Sequence, residues 1–297
     1  MNRTDHSSFN RLEQFLFAPV DPAYAAVFRI ALAAMLAVVF WPYEGMGLVL
    51  GVYRVPALPY LYKHIFLAMP YWLLILAVLT FFGAGFSPRV LGFLLVALLL
   101  PLVFLIGRQP SRQILLFTLV FFSLLRSDAR LSLRWGRQGP QPVTTGPMWP
   151  IRLIQLQLSV VYGVNALAKT TPEYLSGQIL MGMSKMLPNF LVNLSDGYLH
   201  LGPLAIPVTI LAIASVITEY TLAIGFWFPR LRIATAVLGV SFHIVLRFII
   251  KIGMLDWTSM FLYLVFLLPF DRPFNQQFPE KKYNQDSNPN YLPRSYT

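Results

Sequence analysis

Apolar stretches recur along this chain at about 23–43, 71–86, 88–107, 112–126, 149–169, 203–227, 229–250 and 254–270. Crossing the hydrocarbon core of a bilayer takes about 20 apolar residues in a helix, fewer where neighbours shelter the segment. Lipid offers no hydrogen bonds to the backbone, so such stretches must satisfy their own peptide groups. The pattern therefore predicts an all-α fold: a polytopic membrane helix bundle of about eight transmembrane helices. Composition agrees, because only 12% of the 297 residues are charged and 57% are hydrophobic. A soluble domain carries about 25% charged residues. Asp21-Pro22 supplies an N-cap and a first-turn proline for the first helix. That helix contains Arg29 and runs into Trp41-Pro42-Tyr43, not a small-residue cleavage site, so it reads as a retained span.

Basic residues set the expected orientation. With the N-terminus in the cytoplasm, the densest cluster, Arg126, Arg130, Arg134 and Arg137, falls on the inner side. Both termini are then cytoplasmic, and Lys169 lies outside. A multi-pass protein of a bacterial inner membrane is the expected setting. The expected organisation is a cytoplasmic segment over 1–17, a transmembrane domain over 18–273, and a polar, disordered tail over 274–297.

Some chemistry is excluded at once. The chain has no cysteine, which removes disulfides and thiolate catalysis. His6, His64, His200 and His243 are scattered, so no metal site is expected. The net charge of +11 would suggest nucleic acid in a soluble protein. In a membrane protein it marks loops that meet anionic lipid, and no nucleic-acid partner is expected.

Two connections exceed what a link requires. Residues 44–70 hold Tyr53, Tyr60 and Tyr62 and read as a loop lying on the interface. Residues 172–187 follow a Thr171-Pro172 start, with Leu175, Ile179, Met183 and Met186 at helical spacing. They predict one interfacial amphipathic helix.

A charge within a span costs roughly 2.5–3.5 kcal/mol on insertion scales unless it is paired or hydrated. Arg29, Glu219, His243, Arg247 and Lys251 are such groups. His243, Arg247 and Lys251 are spaced to share a helix face. With Lys169 they would line an electropositive outer pocket suited to an anionic or quinol-like small molecule. Snorkelling of Arg247 and Lys251 to headgroups, and a purely structural His243, fit the sequence equally well. Glu219 is expected to pair with Arg29 or Tyr162, and Arg29 and Arg152 otherwise read as topology anchors. Asn165 and Gln157 read as interhelical hydrogen-bonders. Lys169 ends an apolar helix in Tyr162-Gly-Val-Asn-Ala-Leu-Ala-Lys169-Thr-Thr-Pro-Glu-Tyr174-Leu-Ser-Gly177. An ammonium at a bilayer face finds water and an anion or gives up its proton, and in the second case it is a base.

At these residues the chain resembles the vitamin K-dependent γ-carboxylase superfamily, whose membrane part is the horizontally transferred transmembrane (HTTM) domain. The likeness lies in Asp21-Pro22-Ala23-Tyr24-Ala25-Ala26-Val27-Phe28-Arg29 and in Lys169-x4-Tyr174-x2-Gly177. It continues in Glu219 ahead of Phe242-His243, and in Ile252-Gly253-Met254 after it. It spans about residues 18–273. The resemblance implies that Lys169 is a general base acting on a reduced, vitamin K-like quinone or another lipid-soluble acid. His243, Arg247 and Lys251 would then hold the substrate, and a separate redox partner protein would fit the scheme. Protein glutamate carboxylation itself is not expected. The family's histidines have no counterpart in Arg108-Gln-Pro-Ser-Arg112 or Ser127-Asp-Ala-Arg-Leu-Ser132, and the chain ends soon after its last span. The alternative is a non-catalytic membrane component, transporter-like or peptide-handling, that binds an anionic ligand in the basic pocket.

Overall fold

The computed structural model describes residues 12–40, 65–105, 109–125, 127, 146–186, 193–195, 197–201, 204–250 and 255–270. Helices occupy every predicted apolar stretch: α1 (Pro22–Val39), α2 (Ile65–Gly83), α3 (Pro88–Leu105), α4 (Pro110–Ser123), α5 (Trp149–Lys169), α8 (Val208–Gly225), α9 (Arg232–Ile250) and α10 (Leu255–Leu262) with α11 (Leu264–Leu267). Between α5 and α8 lie the short helices α6 (Pro172–Leu175) and α7 (Gln178–Met186) and the strands β1 (Asn193–Ser195), β2 (Tyr198–Leu201) and β3 (Leu204–Pro207). Among the described residues three helices, α1, α5 and α8, are long and apolar enough to cross a membrane by length and composition. Large apolar side chains such as Val164, Leu167, Ile233 and Phe104 point outward, more than half exposed. Water would penalise such a surface and lipid does not. The chain is a membrane protein.

The helix starts follow their local chemistry. Asp21 caps α1 as expected, its carboxylate accepting from the Ala23 amide at 2.7 Å, with Pro22 in the first turn. Thr171 caps α6 in the same way, accepting from Tyr174 N. The segment before α1 is clamped from two sides. Val20 N donates to Gly146 O at 3.0 Å and Asp21 N donates to Phe270 O at 2.8 Å.

One continuous apolar core joins α1 through α5 with α8 to α11, with Phe28, Phe82, Phe122, Phe226 and Phe266 among its buried rings. A smaller cluster, built from Tyr174, Leu180, Leu199, Val208, Ala212 and Val216, packs α6, α7 and β2 onto the first half of α8.

The structure corrects several expectations. The fold is mainly helical but not all-α, because residues 193–207 include an antiparallel sheet in the order β1-β2-β3. The span expected to begin at 203 is extended over Leu204–Pro207 and turns helical at Val208. Proline lacks the amide proton a helix interior needs, and here Pro207 serves as the N-cap. The expected single interfacial helix is broken into α6 and α7 at Gly177, whose φ of +83° an L side chain rarely adopts. Within this segment Tyr174 and Leu180 are buried and Ile179 is exposed. The second helix starts at Ile65 and carries Pro70 inside it. The interfacial reading of 44–64, the basic cluster at Arg126, Arg130, Arg134 and Arg137, residues 1–11 of the N-terminal segment and the tail over 274–297 lie outside the described residues.

Arg112 is buried in the first turn of α4 with its guanidinium over the Phe40 ring. Arg29 is not an anchor at a helix end. It is fully buried, and it donates to the carbonyls of Gly83 and Ser127. Gly83 ends α2, so its carbonyl has no partner within its own helix and sits at the negative end of the helix dipole. A guanidinium answers both needs.

Candidate functional site

Helix α5 carries Tyr162 and Lys169 seven positions apart, which places them on one face two turns from each other. That face packs on α8. Lys169 is the last residue of α5, and its Nζ reaches Glu219 Oε1 on α8 at 2.6 Å. The two partners differ in setting, because the lysine side chain is 29% exposed and the glutamate 5%. The partner of Glu219 is therefore Lys169, not Arg29. The second carboxylate oxygen, Oε2, has no hydrogen-bond partner among the described residues.

The Lys-x4-Tyr-x2-Gly spacing has a local cause. After Lys169 the chain turns through Thr170 and Thr171 into α6, which returns the Tyr174 ring to 5.5 Å from the ammonium. An aromatic face attracts a cation at that range. The Tyr174 hydroxyl is fixed by Ser215 Oγ at 2.8 Å, and Ser215 lies one helical turn before Glu219 on α8. Gly177 completes the unit. A Cβ there would lie 2.8 Å from Val208 Cγ1, so only glycine lets this turn sit against the start of α8.

A second polar cluster lies among the helices. His243 on α9 places Nε2 2.7 Å from the Tyr162 hydroxyl and Nδ1 3.0 Å from Asp256 Oδ1 at the start of α10. The Tyr162 hydroxyl also meets that of Tyr263 at 2.7 Å, and Ser259 hydrogen-bonds it as well.

The expected basic pocket is only partly assembled. His243 is buried and turned to Tyr162, not aligned with Arg247 on a common surface. Arg247 is exposed, with its guanidinium 5.5 Å over the Trp257 ring. Lys251 lies outside the described residues. Asn165 is exposed on α5 and not set between helices. Gln157 does link helices, donating to Ile114 O at 2.8 Å, and Gln155, which sequence reasoning passed over, donates to Val265 O. Sequence reasoning also missed Asp256, Tyr263 and Ser259. The available signal was an acidic residue opening an apolar helix, since a carboxylate near a span needs a partner. Among the described residues, no group of histidine and acidic side chains is arranged to hold a metal.

The family model of the HTTM domain matches residues 17–270. No curated protein and no solved structure matches the chain.

Proposed function

Since the chain belongs to the HTTM domain family, we propose that it is a multi-pass membrane enzyme in which Lys169 acts as a general base on a reduced, vitamin K-like quinone or another lipid-soluble acid. The observation that carries this reading is the 2.6 Å contact between Lys169 Nζ and Glu219 Oε1 at a partly exposed helix end. Over so short a hydrogen bond the ammonium passes a proton to the carboxylate and becomes an amine. Away from bulk water the uncharged pair is much less disfavoured than it would be in solution. The amine then takes the proton of a quinol hydroxyl. The quinol O–H bond breaks, an Nζ–H bond forms, and a quinolate remains. Carboxylase-like chemistry of this kind follows the resemblance in Lys169-x4-Tyr174-x2-Gly177.

The anion-binding alternative has less support. Glu219 already meets the charge of Lys169, so the pair adds no net positive potential to a ligand site. The experiment uses the protein reconstituted in liposomes with a reduced menaquinone under air, and follows the oxidised products by chromatography and mass spectrometry. Turnover above the protein-free rate is expected, with a loss of about 10²-fold or more in Lys169→Arg, whose guanidinium keeps its proton. Full turnover by Lys169→Arg removes base catalysis.

A further inference from the structure

The buried cluster on α5, α9 and α10 holds a tyrosine–histidine–aspartate chain that the quinol step does not use. A carboxylate only accepts hydrogen bonds, so His243 Nδ1 donates to Asp256 Oδ1 at 3.0 Å, and a neutral ring keeps Nε2 as an acceptor. The Tyr162 hydroxyl, 2.7 Å from Nε2, spends its one proton on it. Tyr263, also 2.7 Å from that hydroxyl, therefore donates to the Tyr162 oxygen. Tyr162, His243, Asp256 and Tyr263 are each no more than 5% exposed, and the Tyr263 ring is backed by Phe226 with centroids 4.9 Å apart. Removing an electron from a phenol makes its hydroxyl strongly acidic, so a buried tyrosine can be oxidised only where a base already holds its proton. Here the base is in place, and Asp256 stands behind it to balance the imidazolium that would form. On the other side of α5 the helix meets lipid: Val160 and Val164, two residues to either side of Tyr162, are more than half exposed. An electron tunnels across a helix, roughly 10 Å thick, whereas a proton needs hydrogen bonds all the way.

We propose that Tyr162 is a redox-active tyrosine, which gives one electron to a peroxyl radical of the surrounding lipid and its hydroxyl proton to His243. This goes beyond the quinol reading and does not depend on it. The Tyr162 O–H bond breaks and a His243 Nε2–H bond forms over the existing 2.7 Å contact. Tyr162 is oxidised to a neutral phenoxyl radical, and the peroxyl radical is reduced to a hydroperoxide anion. The Tyr263 hydroxyl keeps its hydrogen bond to the phenoxyl oxygen throughout. Asp256 is a positioning residue: it holds Nε2 toward the hydroxyl and faces the imidazolium with its charge. The lipid radical and the phenoxyl never touch, because the thickness of α5 separates them. Only the electron crosses.

The test uses the full chain in liposomes with a lipid-soluble initiator that makes peroxyl radicals under light and air. Samples are frozen after illumination and read by electron paramagnetic resonance. A neutral tyrosyl radical is expected, coupled to nitrogen in protein labelled with ¹⁵N-histidine. Tyr162→Phe should lose the signal, and His243→Gln should lose the nitrogen coupling. A ring-fluorinated tyrosine at position 162 keeps the side chain and its hydrogen bonds, so it serves even where the other variants fail to fold. Its spectrum should carry fluorine splitting. Asp256→Asn, which removes the charge facing the imidazolium, should shorten the lifetime of the radical. No tyrosyl signal in the unmodified protein, or a signal unaltered by fluorination at position 162, overturns the proposal. A signal without histidine nitrogen coupling overturns the route of the proton, and a lifetime indifferent to Asp256→Asn overturns the part given to Asp256.

Discussion

Gly239 lies directly beneath the hydroxyl of Tyr263: a Cβ at that glycine would stand 2.4 Å from Oη and 2.7 Å from Cζ. The absence of a side chain on α9 is thus what lets the Tyr263 hydroxyl reach Tyr162. Gly239→Ala is expected to destabilise the protein by about 1–3 kcal/mol through overpacking and to weaken the bond between the two tyrosines. Gly182→Ala provides the contrast, since nothing lies within 4 Å of its added Cβ. That change should be neutral or stabilising by about 0.5–1 kcal/mol through helix propensity. Unfolding in detergent by denaturant, followed by tryptophan fluorescence, compares them. Equal stability of the two variants would contradict the close approach at Gly239.

The Lys169–Glu219 pair should respond unequally to removal of either partner. Lys169→Leu leaves a carboxylate that is 5% exposed without its cation, whereas Glu219→Leu leaves an ammonium that is 29% exposed and able to reach water. Breaking a buried pair from the side that strands the buried charge costs about 3–5 kcal/mol. The reverse change should cost on the order of 1 kcal/mol, as for pairs open to solvent. The same denaturant titration measures both. A larger loss for Glu219→Leu would mean that Lys169 is the more deeply held of the two.

Gly177 combines a positive φ with contact against Val208, so Gly177→Ala should be worse than either strain alone. Backbone strain of this kind costs about 1–3 kcal/mol. Val208→Ala in the same chain removes the contact with Cγ1 but not the 3.1 Å approach to the Val208 carbonyl carbon or the backbone strain. The double variant should therefore recover part of the stability and not all of it. Complete recovery would place the whole effect in the side-chain clash.

Because the chain has no cysteine, Ser176→Cys introduces a single thiol at an exposed position between α6 and α7. With the basic loops inside, this thiol should react with a membrane-impermeant maleimide from the extracytoplasmic side of intact cells or spheroplasts. Labelling only after the membrane is opened would invert the orientation and place Lys169 on the cytoplasmic side.

The helices were legible because a span must be apolar for its whole length, and Trp149–Lys169 was read to the residue. The sheet was not, because Leu204–Pro207 is apolar enough to merge with the helix that follows, and only Pro207 hinted at the break. Pairings across the bundle were harder still. Lys169 and Glu219 are 50 residues apart, and helix rotation about its own axis decides which side chains meet. Arg29 illustrates the limit, because a buried guanidinium can be satisfied by carbonyls, and every helix end offers those without any mark in the sequence. The Tyr162–Lys169 spacing of two turns was visible, but its meaning depended on Asp256 and Tyr263, which nothing local announced.

The hydrogen bond from Asp21 N to Phe270 O joins the two ends of the family-matched stretch, which runs from 17 to 270. Whatever polypeptide is spliced ahead of residue 18 and behind residue 270 consequently departs from a single spot. The unit behaves like a clasped loop, able to be grafted as one cassette into a longer protein without parting its neighbours. New ends opened elsewhere, with the old ones sewn together by a brief linker, should leave the bundle intact.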